Sequence, residues 1–390
     1  MLEDIKIELA TKILPYWINK MQDKENGGFY GRIDGNEIVH KDANKGIILN
    51  TRILWTFSAA YRTINHPDYL EMAERAFNYI NDFFIDKTYG GVYWELDAKG
   101  IPVNRKKQVY AQAFALYGFS EYFRATRDEK ALKLAKKFFF LIEKCCDKEF
   151  DGYYEAFTEK WNYIEDMRLS EKDANEIKTM NTHLHILESY TNLCRIWNDD
   201  QLKIAQEKLI TVFIKHIINK ETFHLNLFFN ENWDVKSTII SFGHDIEASW
   251  LLVEAAEVLD NAKLLNEVKS VSLKLANAAL EGFQPDGSLI YEKENEHEDR
   301  DRHWWVQAES VVGLMYMWKI FGNILYREMA EKTWEYIRNN IIDSVNGEWF
   351  WSVHDNGTTN RIDDKAGFWK CPYHNSRMCL EIIKIFSKSQ

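Results

Sequence analysis

The sequence predicts an all-α chain: six helical hairpins of about sixty residues each, carrying short β-like turns and closed into an (α/α)6 barrel. Three observations carry this reading. A turn of glycine and aromatic residues recurs at a regular spacing, an amphipathic helical pattern precedes each copy, and a helical pattern that is apolar nearly all round follows it.

The turn reads Asn26-Gly27-Gly28-Phe29-Tyr30 in its first copy, Tyr89-Gly90-Gly91-Val92-Tyr93-Trp94 in its second and Phe150-Asp151-Gly152-Tyr153-Tyr154 in its third. It returns as Pro285-Asp286-Gly287-Ser288-Leu289 and Asn346-Gly347-Glu348-Trp349-Phe350. The gap between Gly152 and Gly287 is about two periods long, and Phe223-His224-Leu225-Asn226-Leu227-Phe228 lies inside it as a copy without glycine. Amphipathic stretches such as Tyr69 to Phe84 and Glu328 to Ile342 precede the turns. The more apolar helices that follow start near Lys45, Lys107, Lys178, Ile240, Arg302 and Phe368. A helix apolar on all sides is a buried one. A linear solenoid would need polar caps and gives no reason for six such inner helices; closure into a double ring buries all of them. No Pro/Gly/Ser-rich linker interrupts residues 1–390, which read as a single domain.

Composition narrows the partners. Hydrophobic residues make up 46% and the net charge is −11, which fits a large core and argues against nucleic acid and anionic membranes. No run of eighteen apolar residues suggests a membrane span, and Met1 to Lys20 does not read as a signal peptide. Five scattered cysteines, Cys145, Cys146, Cys194, Cys371 and Cys379, suit a reducing cytoplasm better than a disulfide framework. The aromatic content of 14% fits either a large core or a sugar site lined with rings.

The first turns of the inner helices hold the chemistry. They carry Asn50 and Arg52; Tyr110 and Gln112; Asn181, His183 and His185; His244, Asp245 and Glu247, with Trp250 one turn on; Trp304, Trp305, Gln307 and Glu309; and Trp369, Tyr373, His374, Asn375 and Arg377. A lone histidine on an apolar helix is usually a satisfied core residue, and Arg52 has the alternative of a buried ion pair with Glu247 or Glu309. The joint pattern is harder to assign to packing, because burying this many ionisable groups is costly unless they are paired. In a closed ring they converge on one end of the barrel axis. The i,i+3 spacing of His244 and Glu247 predicts a carboxylate-oriented imidazole, and Glu309 is placed to orient another histidine across the barrel. A metal site is the rival reading, but HExxH spacing is absent and Arg52 with several tryptophans is a poor cation site.

The runs Gly46–Trp55, Met180–Glu188, Gly243–Glu247, Trp304–Glu309 and Trp369–His374 resemble the cellobiose 2-epimerases of the N-acylglucosamine 2-epimerase superfamily, from Asn26 to about Arg377. The resemblance implies an (α/α)6 barrel that needs neither metal nor nucleotide cofactor. It implies catalysis by His244 and His374, with His185 and Arg52 in the site and Trp305 and Trp369 holding the sugar.

Epimerisation at C2 needs two acid/base groups flanking the carbon and donors at O1 and O2. The expected assignment gives proton exchange to His244 and His374, and oxyanion stabilisation to Arg52 and His185. Glu247 orients His244, while Tyr110, Asn181, Trp250, Trp305, Glu309, Trp369 and Arg377 bind the sugar. The expected substrate is the reducing-end glucose of cellobiose or a similar β-1,4-linked disaccharide, handled by a monomer or weak homodimer. The alternatives are an N-acylglucosamine 2-epimerase, an aldose–ketose (mannose) isomerase on the same scaffold, and an inverting glycoside hydrolase using Glu247 and Glu309. A silent sugar-binding protein would have no task for the paired histidines.

Overall fold

The computed structural model describes residues 1–387. Its inner helices are α3 (Ile47–Ile64), α5 (Val109–Thr126), α7 (Met180–Cys194), α9 (Phe242–Glu257), α11 (Trp304–Phe321) and α13 (Tyr373–Ser387). Each packs against the next, and α13 packs back on α3, so the ring closes. The outer layer consists of α1 (Leu2–Glu8) running through a π turn into α2 (Leu14–Lys20), then α4 (Pro67–Tyr79), α6 (Glu129–Glu143), α8 (Asp200–Val212), α10 (Ala262–Ala279) and α12 (Ile324–Tyr336). Outer helices bury one stripe: Met72, Ala73, Ala76 and Phe77 of α4 are buried, whereas α3 is buried at every residue from Ile47 to Ala60. One continuous hydrophobic core takes residues from all the units.

The passage from inner to outer helix is short. Asn65, Arg127 and Gly322 each adopt a left-handed conformation at the end of an inner helix. His66, Asp128 and Asn323 follow at once and cap the next outer helix with a side-chain acceptor.

All six β-like turns are present, the glycine-free copy included. They are pinned by the antiparallel bridges Gln22–Phe29, Ile85–Val92, Cys146–Tyr153, Ile218–Leu225, Phe283–Leu289 and Ile342–Trp349. In the fourth copy Phe223 itself takes a positive φ of 63°, the role that Gly90 or Gly347 fills elsewhere. A buried lysine two residues before an inner helix ties three of the turns: Lys45 to Asp23 at 2.8 Å, Lys107 to Asp86 at 2.8 Å and Lys178 to Asp147 at 2.7 Å. In the fourth unit both partners are neutral at once, as Ile240 and Asn219. Losing both charges together avoids leaving one buried ion unpaired.

Candidate active site

The polar residues at the start of the inner helices fall into two sets two residues apart, which places them on nearly opposite helix faces. The fourth residue of a helix turns outward and holds its own unit's turn. Gln112 Oε1 accepts the Val92 N–H at 2.8 Å and Gln307 Oε1 that of Leu289 at 2.9 Å. His183 Nε2 accepts the Tyr153 N–H at 2.9 Å, and Asp245 Oδ1 accepts that of Leu225 at 2.8 Å. These four are structural. The sixth residue faces the axis: Arg52, Phe114, His185, Glu247 and Glu309, with Arg377 supplied by α13.

Arg377 sits under the centre of the site. Its Nη1 donates to Glu188 and, at 2.5 Å, to the Tyr373 hydroxyl; its Nη2 donates to Glu247 and, at 2.6 Å, to Glu309. Two of these carboxylates carry a histidine. His374 Nδ1 lies 2.7 Å from Glu309 Oε1, and His185 Nδ1 lies 3.0 Å from Glu188 Oε2. A carboxylate on Nδ1 fixes the proton there and leaves the Nε2 lone pair free in the neutral ring. Burial pushes the Glu188 carboxyl up, but Arg377 and His185 outweigh it and hold it at about 2. Burial also pushes His374 well below the ordinary imidazole value, against the pull of Glu247, and pushes His185 down against Glu188. Both rings are therefore neutral at neutral pH.

His244 differs from the expectation. Glu247 is engaged by Arg377, and His244 Nδ1 instead lies 2.8 Å from Ser241 Oγ. Desolvation takes His244 down to about 4. The half-buried Trp305 touches both His244 and His374, with ring centroids 4.8 and 5.7 Å away. Opposite them, Arg52 Nη2 donates to the Tyr110 hydroxyl at 2.9 Å and its guanidinium lies 4.4 Å over the Phe114 ring. Arg52 makes no ion pair among the described residues, and its Nε is buried without a partner. Neither ion pair considered for it, with Glu247 or Glu309, forms. Asn181 Oδ1 is likewise buried and unpartnered, and the half-buried Trp369 stands 6.1 Å from Tyr110. Arg52, Tyr110, Asn181, His185, His244, Trp305, Trp369 and His374 thus surround the inner mouth of the barrel.

Trp250 and Arg377 do not line it, contrary to the expectation that they bind sugar. Trp250 is 1% exposed, donates to Glu309 Oε2 at 3.1 Å and packs on Tyr316; Arg377, also 1% exposed, is consumed by three carboxylates. Sequence reasoning missed Glu188 and Ser241. Glu188 stands three residues after His185, the spacing applied to His244 and Glu247, so its signal was present.

Glu247, Glu309 and His374 bring ligand atoms within 4.8 Å of one another, a spacing that suits a divalent ion. The Arg377 guanidinium donates to both carboxylates there and takes the cation's place.

The family model described as N-acylglucosamine 2-epimerase (GlcNAc 2-epimerase) matches residues 28–377. The chain is 54% identical to a cellobiose 2-epimerase of Bacteroides fragilis, covering 98% of both chains. It is 38% identical to a cellobiose 2-epimerase of Dictyoglomus turgidum over 96% of both. Among solved structures it superimposes on cellobiose 2-epimerase from Bacillus thermoamylovorans B4167 with a TM-score of 0.94 and 42% identity, covering 98% of each chain.

Proposed function

The chain belongs to the N-acylglucosamine 2-epimerase family, and from that premise we propose that it interconverts glucose and mannose at the reducing end of cellobiose or related β-1,4-linked disaccharides. It is a sugar 2-epimerase, an isomerase. The observation that carries the mechanism is the pair of neutral imidazoles, His244 and His374, that lean on one indole, Trp305.

Removing the proton at C2 of the open aldose builds an enediolate. In this reading His244 and His374 flank C2; one takes the proton and the other returns one to the opposite face. Arg52, a buried guanidinium free of any carboxylate, supplies positive charge at O1 and O2, with Tyr110 beside it. His185, with Nδ1 on Glu188, presents a lone pair to a sugar hydroxyl and so acts as acceptor where an oxyanion donor was expected. Asn181 completes the polar lining and Trp305 and Trp369 stack on the sugar; Glu309, expected to bind a hydroxyl, is fully buried and instead orients His374, and Glu247 balances Arg377.

The hydrolase alternative meets a geometric obstacle. Inverting hydrolysis wants two carboxyls about 6.5–9.5 Å apart, whereas Glu247 and Glu309 share one nitrogen of Arg377 and approach within 4.8 Å. An isomerase would use the same enediolate but return the proton to C1.

The reading extends to a single domain without metal or nucleotide cofactor, acting on a small sugar as a monomer or weak homodimer in the cytoplasm. Its five cysteines are free, and among the described residues no helix is long and apolar enough to cross a membrane.

The test is incubation with cellobiose in D2O followed by NMR. Glucosyl-mannose carrying deuterium at C2 supports the reading. A ketose product would replace it by isomerisation, and free glucose by hydrolysis.

A further inference from the structure

His244 is the one site imidazole among the three without a carboxylate on Nδ1. Its partner, Ser241, closes the short strand Ile239–Ser241, and the strand register places Glu292 directly across from Ser241. Directly opposed across the strand pair, the Glu292 carboxylate stands beside the Ser241 and Tyr291 hydroxyls, which favour its ionised form, with Asp299 across the next strand pair and Asp173 opposing ionisation. No lysine or arginine pairs with Glu292 among the described residues. Glu292 is only part-buried, and the residues that follow it, Glu294 to Glu298, are exposed.

Resting on the epimerase reading above, we propose that Glu292 and Ser241 form a proton relay behind His244, as positioning residues that let this imidazole gain and lose a proton without carrying a net charge.

The relay balances. With Glu292 ionised, the Ser241 hydroxyl donates to the carboxylate and Oγ accepts the His244 Nδ1–H, so the Nε2 lone pair faces the sugar as a base. When the C2–H bond breaks, its proton joins Nε2, the Nδ1 proton passes to Ser241 Oγ, and the serine's original proton passes to Glu292. The electron pair of the broken bond stays in the enediolate. His244 is then neutral in the opposite tautomer, with Nε2–H facing the sugar as an acid, and the part-buried Glu292 holds the added proton where water can exchange it. The reverse sequence delivers a proton to C2.

Two features of the surroundings favour this route. Desolvation takes the His244 imidazole down to about 4, so an imidazolium there is disfavoured. Burial, with Asp299 and Asp173 opposing ionisation and the two hydroxyls supporting it, brings Glu292 to about 7, where it takes up and releases a proton at neutral pH.

The test compares Ser241→Ala, Ser241→Thr and Glu292→Gln with the wild type on cellobiose. Ser241→Ala and Glu292→Gln should lower kcat about 100-fold, the lower end of a general acid–base contribution, with KM within about twofold. Glu292→Gln should also lose the limb near neutrality in the pH profile of kcat/KM, and Ser241→Thr, which keeps the hydroxyl, should restore most of the rate. A Glu292→Gln enzyme with wild-type kcat and pH profile overturns the relay, as does equal impairment of the Ala and Thr variants at 241. If the wild type places no deuterium at C2, the epimerase assignment fails; if His244→Asn retains turnover, the base role of His244 and the relay fail together; if the wild type exchanges, His244→Asn is impaired and Glu292→Gln is normal, the relay alone fails.

Discussion

Glu309 Oε1 lies 2.7 Å from His374 Nδ1, and the same oxygen takes a hydrogen bond from Arg377. One carboxylate thereby sets the tautomer of a site imidazole and anchors the cation beneath it, so the base and its electrostatic support move as one body.

Replacing either His244 or His374 with Asn should lower epimerisation by several orders of magnitude, because one proton transfer loses its catalyst. Each variant should still wash deuterium into C2 of the epimer presented to its remaining base, without interconverting the two. Near-normal turnover in either variant, read by NMR in D2O, would make that histidine structural.

Activity should survive EDTA. Between Glu247 and Glu309 the Arg377 guanidinium already supplies a positive charge, donating to both carboxylates. Loss on chelation, restored by one divalent metal, would overturn this assignment.

The fourth unit suggests a stability experiment on the third. Asp147→Asn or Lys178→Ile alone should cost about 3–5 kcal/mol, because each leaves a buried charge without its partner. Combining them reproduces the natural Asn219 and Ile240 arrangement and should cost less than either alone. Urea unfolding of the four proteins measures the coupling.

Stability should also depend on pH through His224, a buried ring whose Nδ1 lies 2.7 Å from Asp245 Oδ2. Burial lowers its pKa, but the bonds to Asp245 and Glu281 outweigh this and leave it raised. A raised folded value means the contribution is fully present below the unfolded value of about 6.5 and fades as pH rises through the folded one. The stability gap between wild type and His224→Gln should therefore narrow from pH 6 toward alkaline pH. A gap that widens would contradict the assignment.

The six units were legible because each turn repeats a local pattern and each inner helix carries polar residues on an apolar background. The site was legible in its membership, since Arg52, His185, His244 and His374 stand where a ring brings them together. Its wiring was not. The i,i+3 spacing of His244 and Glu247 suggested a pair, but Glu247 points to the axis and meets Arg377, 130 residues away, a contact with no local signature. The polar residues of the first turns read as one set, yet His183 and Gln112 face outward to their own turns. A second turn in each unit also went unread. Trp161 and Trp233 stand there at positive φ and send their indole N–H groups to Tyr89 and Phe150 of the preceding turn.

The ring closure of α13 on α3 is reinforced where the first outer helix meets the last unit. Trp17 donates to Glu348 at 2.6 Å, and Trp349 donates to Glu8 at 2.9 Å, contacts separated by 331 and 341 residues. During synthesis the early hairpins can assemble as they emerge, yet the first helix has no seat until the final sixth of the described chain has been made. Until that contact forms, Leu9, Ile13 and Trp17 lack their cover, and a pairing of such large sequence separation is expected among the slow steps of folding.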